Sequence, residues 1–140
     1  MRKWIRSLLA VVLGLLLGSA VNMALIMASG QLIPPPAGAD VNTLAGLQAA
    51  LPLFEPKHFV MPFLAHALGA LVGALLAGLI AAGRSAVPPF IVGGMFMAGG
   101  IANVVMLPAP LWFNTLDLLV AYLPMAWLGA RLAARLQGRA

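Results

Sequence analysis

The chain has 140 residues, of which 63% are hydrophobic and 8% charged, with a net charge of +5 and no cysteine. A soluble domain needs about 25% charged residues to clothe its surface, so a soluble globule is excluded. The missing cysteines exclude thiol–disulfide chemistry, thiolate metal sites and iron–sulfur clusters.

Residues 1–6 (MRKWIR) are a basic start, and the chain then runs without charge to Gly30. A signal peptide cleaved near Gly18-Ser19-Ala20 is the rival reading. Apolar character continues through VNMALIMA, beyond the roughly 7–15-residue core of such a peptide. An uncleaved first helix over about 4–28 is expected, with Ala10, Gly14, Gly18 and Asn22 on one stripe. That stripe contains GxxxG, which lets two helix backbones approach closely.

Residues 31–57 form the one long polar-leaning connection. Pro34-Pro35-Pro36 holds a short extended segment. Asn42 or Thr43 can cap a short helix with Leu44, Leu47 and Leu51 on one face, stopped by Pro52. Such a helix reads as resting at the membrane interface, although a connection of this length often lies over a site.

The second span, 59–82, is uncharged and at ~1.5 Å per residue can cross a ~30 Å hydrocarbon layer. His66 shares a face with Gly69, Gly73 and Ala77, and a face of that kind packs against protein. Residues 83–89 are a tight turn containing Arg84. The third span, 89–107, holds Gly93-Gly94 and Gly99-Gly100, which bend a helix or admit a neighbour. After a proline-rich turn with an interfacial tryptophan, the fourth span covers 114–136. It has Pro124 inside it and Ala126, Ala130 and Ala134 on one stripe.

The charges sort by side. Of the 8 Lys and Arg, all but Lys57 (Arg2, Lys3, Arg6, Arg84, Arg131, Arg135 and Arg139) fall at one end of a four-span arrangement. Lys57 falls at the other end with Asp40 and Glu55. Positive residues stay inside, so both termini are expected in the cytoplasm and the long loop outside. The expected fold is all-α: a single domain over 1–140, four transmembrane helices and a short interfacial helix in the first external loop. Small basic clusters beside spans set topology and attract anionic lipid headgroups. Membrane lipids are thus the expected partners, and nucleic acid is not.

The polar residues inside the spans share a depth. Asn22, His66, Asn103 and Asp117 all lie within the outer ~15 Å of the membrane, where they could form one pocket open to the outside. Each has a plainer alternative. Asp117 can close a capping box with Asn114, His66 can sit neutral against a neighbouring carbonyl, and the asparagines can bond across helices. Glu55, Lys57 and His58 either anchor the second span or form the rim of that pocket, meeting an acidic or phosphorylated headgroup. His58 and His66 lie two turns apart on one helix, and Asp117 adds too few ligands for zinc, so no metal site is expected. No cofactor is expected either, because a haem between two copies of His66 is weakly supported. No nucleotide loop, HExxH motif or nucleophile elbow is present, and no catalytic residue is assigned.

Three functions fit this pattern. The first is a pocket for a small molecule, lipid or proton. The second is a structural subunit forming a homo-oligomer or joining a larger membrane complex through Gly14/Gly18 or Gly69/Gly73. The third is a membrane enzyme using His66 and Asp117 as acid and base. FEPKHF, PFLAHALG and MLPAPLWF followed by the Leu-Asp of Asp117 resemble a family of small bacterial four-span inner-membrane proteins without an assigned activity. The resemblance runs from the first helix to the fourth. It implies a bacterial inner-membrane location and carries over no site residue.

Overall fold

The computed structural model describes residues 2–81 and 85–138. These form six α-helices: α1 (Lys3–Leu32), α2 (Leu44–Ala50), α3 (Val60–Ile80), α4 (Val87–Met106), α5 (Leu111–Val120) and α6 (Leu123–Leu136). Single 3₁₀ turns at Leu51–Leu53 and Pro56–Phe59 lead into α3, and no strand occurs among the described residues. Four stretches are long and apolar enough to cross a membrane: Lys3–Leu32, Pro56–Ile80, Val87–Met106 and Leu111–Leu136. The chain is therefore an all-α membrane protein. Ala82, Gly83 and Arg84, where the sequence puts the end of the second span and the next turn, lie outside the described residues. Arg139 lies outside them too.

The central helix is α3, which packs against α1, α4 and α6. Its neighbours come close because glycines meet glycines. A Cβ on Gly14 would stand 2.6 Å from the Gly73 carbonyl oxygen, and one on Gly69 would stand 2.9 Å from that of Gly18. The GxxxG pair of α1 is thus used against the GxxxG pair of α3 within one chain, where close backbones gain dispersion contact. Lipid tails replace water outside, so leucines can remain on the flank. Leu8, Leu13, Leu16 and Met27 of α1 are all exposed.

Polar side chains close the helix ends. Arg6 Nε donates to the Ile80 carbonyl at 2.6 Å, and Gln137 Nε2 donates to that of Leu79 at 2.8 Å, satisfying orphan carbonyls at the C-terminus of α3. At the opposite end Thr43 caps α2, its hydroxyl accepting from the Gly46 N–H at 3.0 Å. Gln48 then ties α2 to the last turn of α4 by donating to the Met106 carbonyl at 2.7 Å. Leu51, Phe59 and Phe113 form a small apolar cluster joined by Leu47, Phe54 and Leu107. The α1–α3 connection accordingly folds over the end of the bundle as a cap.

Two expectations are corrected. The fourth span is not one helix: it breaks between Val120 and Leu123. Pro124 has no N–H to offer the turn before it, and its ring crowds the carbonyl there. The chain restarts with Tyr122 at the N-cap of α6 and Pro124 in the first turn. The same span begins at Leu111 rather than 114, with Pro110 as its N-cap, so Asn114 and Asp117 form no capping box. Asn114 Nδ2 instead donates to the Ala109 carbonyl at 3.3 Å. The paired glycines do not interrupt α4, which runs unbroken from Val87 to Met106.

Candidate functional site

The break in the fourth span positions the site. Asp117 lies on α5, one turn before the interruption, and is 3% exposed. Tyr122 lies on the interruption itself and is buried. Its ring fits because Gly100 of α4 leaves the space: a Cβ on Gly100 would clash with the Tyr122 hydroxyl and ring carbons. From α3, His66 Nδ1 approaches both carboxylate oxygens, at 2.9 Å from Oδ1 and 3.0 Å from Oδ2. The Tyr122 hydroxyl donates to Asp117 Oδ2 at 2.7 Å and lies 3.0 Å from His66 Nδ1. The imidazole and phenol rings stack with centroids 5.8 Å apart.

With Asp117 ionised, these contacts fit one proton pattern. A carboxylate only accepts, so Nδ1 carries the proton that faces Asp117, and the Tyr122 hydroxyl spends its own on Oδ2. Every hydrogen bond of His66 uses Nδ1, and Nε2 has no partner among the described residues. In the neutral ring Nε2 is an acceptor.

Two adjoining cavities meet at this group. One, of about 290 Å³, lies beneath the cap and is lined by His66, Asp117, Asn22, Asn103, Phe59 and Phe113 among others. The second, of about 420 Å³, lies between α1 and α4 and is also lined by His66, Asn22, Asn103 and Gly100, together with Ser19 and Tyr122. Asn22 Oδ1 is buried and has no hydrogen-bond partner among the described residues. A buried amide oxygen without a donor costs about 1–3 kcal/mol, so its persistence asks for an explanation.

Asn22, His66, Asn103 and Asp117 therefore gather around connected space, Asn103 at an exposed edge. Glu55, Lys57 and His58 do not line either cavity. Lys57 and Glu55 pair with each other at 3.0 Å on the surface. His58 is buried, with Nδ1 accepting from the Glu55 N–H at 2.9 Å and Nε2 donating to the Pro34 carbonyl at 3.2 Å. With both ring nitrogens used inside the chain, His58 pins the cap to the start of α3 and has nothing left for a headgroup. No group of three or more His, Asp or Glu suited to a metal occurs among the described residues.

Tyr122 is the participant that spacing did not reveal. The signal available was its uniqueness, as the sole tyrosine, placed two residues before Pro124. Comparisons with protein-family models, with curated proteins and with solved structures return no match, so the site rests on its own geometry.

Proposed function

We propose that the chain is a multi-pass protein of the bacterial inner membrane whose polar pocket opens toward the external side and binds a small molecule, lipid or proton. Both termini then lie in the cytoplasm, as the sorting of basic residues supports. The cap, with α2 in it, sits at the external interface. One observation carries the reading. His66 is held at Nδ1 by Asp117 and presents an unpaired Nε2 to cavities of about 290 and 420 Å³. Ionisable groups within membrane spans are expensive, and the usual reason for keeping one is a ligand or proton path. The cavity sizes suit a small organic molecule.

Native mass spectrometry of gently extracted protein tests this. A retained small molecule should be lost in His66→Ala and in Asp117→Asn, with circular dichroism verifying that both variants stay helical. Retention by both folded variants overturns the reading. The carboxylate–imidazole–phenol group also suits an enzyme that moves a proton at Nε2. Under that second reading, turnover would be pH-dependent and abolished by His66→Gln. Self-association through Gly14/Gly18 or Gly69/Gly73 is disfavoured, because these glycines already face one another within the chain.

A further inference from the structure

The larger cavity reaches the flank of the bundle, the surface that a membrane would cover. Its rim is formed by Ser19 of α1 with Met95 and Gly99 of α4, all three exposed. A Cβ on Gly99 would meet nothing within 4 Å, so the cleft is open there. Leu15, Met95 and Phe96 make the walls apolar, while Asn22, His66 and Tyr122 make the floor polar.

The polar floor has a definite demand. His66 Nε2 is an acceptor when Nδ1–H is committed to Asp117, and it is the acceptor the cleft presents, because Asn22 Oδ1, which also lacks a donor among the described residues, is itself fully buried. Among the described residues no lysine or arginine lines either cavity, so an anionic headgroup has no counter-charge there. The group that fits is an uncharged hydroxyl, and the apolar walls ask that it be attached to a hydrocarbon body. We propose that the α1–α4 cleft takes up, sideways from the bilayer, a lipid-soluble alcohol whose hydroxyl donates to His66 Nε2. Its apolar part lies along Leu15, Met95 and Phe96. This rests on the pocket reading above and names the ligand class for it. Diacylglycerols and prenols share the hydroxyl and differ in what carries it, two fatty acyl esters in one and an isoprenoid chain in the other.

The test is equilibrium binding to the full chain in detergent of dioctanoylglycerol and farnesol, each beside its O-methyl ether. The ether keeps shape and apolar area but loses the donor. At least one alcohol should bind, about tenfold or more tighter than its ether. His66→Asn keeps an amide N–H for Asp117 and deletes Nε2, so it should remove the preference of alcohol over ether. Gly99→Phe, entering open space, should leave the helical melt unchanged and weaken both ligands. Equal binding of alcohol and ether by the unaltered chain overturns the hydroxyl, and full binding by Gly99→Phe overturns the sideways route. If neither alcohol binds while a co-purified molecule still depends on His66, the alcohol class is overturned and the pocket stands. If nothing retained depends on His66, both fall.

Discussion

At the scale of single residues, the site depends on one absent methyl group. Gly100 is required because Tyr122 occupies the volume where a side chain would begin. Gly100→Ala should drive the ring away from Asp117 and cost about 1–3 kcal/mol, the usual penalty of overpacking a fitted core. Tyr122→Phe keeps the ring and deletes only the donor to Oδ2. Interhelical hydrogen bonds in membranes average ~0.6 kcal/mol, so this loss should be the smaller of the two. Reversible unfolding in mixed micelles would rank the two variants. A Gly100→Ala chain as stable as the parent would show that the ring has room to spare.

At the scale of elements, the fourth span works because it is discontinuous. A continuous helix would carry Tyr122 round by its regular 100° step from the preceding residue and away from its present place. Pro124→Ala returns an N–H that can bond to the Val120 carbonyl and should rejoin α5 to α6. Slower amide exchange across 120–125, with loss of the His66-dependent binding, is the expected outcome. The cap has its own chemistry. The hydrogen bond and charge of Lys57 hold the Glu55 carboxyl below its ordinary value of 4.5, and the Asn42 N–H and Thr43 hydroxyl hold Asp40 below 3.8. Carboxyls lowered in the folded state stabilise it above their ordinary values, and that contribution fades as pH falls through the lowered ones. Amide exchange in 40–46, around Asp40 and its bonds to Asn42 and Thr43, should therefore become faster below about 4, after correction for intrinsic rates.

At the scale of the whole molecule, the bundle is polarised along its axis. One end carries Arg6, whose side chain is tied to the Ile80 carbonyl, together with Arg131 and Arg135 of α6. The other carries the cap and the space beneath it. The chain has no cysteine, so single cysteines can be placed without background. A cysteine at Lys57 should react with an impermeant maleimide on intact spheroplasts. One at Arg135 should react only after permeabilisation. The reverse pattern would invert the proposed orientation and place the pocket on the cytoplasmic side.

Some of this was determined by the amino-acid sequence alone. Uncharged apolar runs have one stable solution in hydrocarbon, the helix, so four candidate spans are legible from residue order. That His66 and Asp117 fall at one level of the bundle follows from counting turns. The facing of Gly14 and Gly18 onto Gly73 and Gly69 does not, because a small-residue stripe fits a partner chain as well as the same chain. Nor could residue order show that Asp117 turns to His66 rather than to its own helix start, since that choice depends on Pro110 moving the cap forward. The place of Tyr122 was the least legible of all. It requires a proline-broken helix, a glycine on α4 and a histidine on α3 to come together, and only tertiary packing decides their mutual rotation.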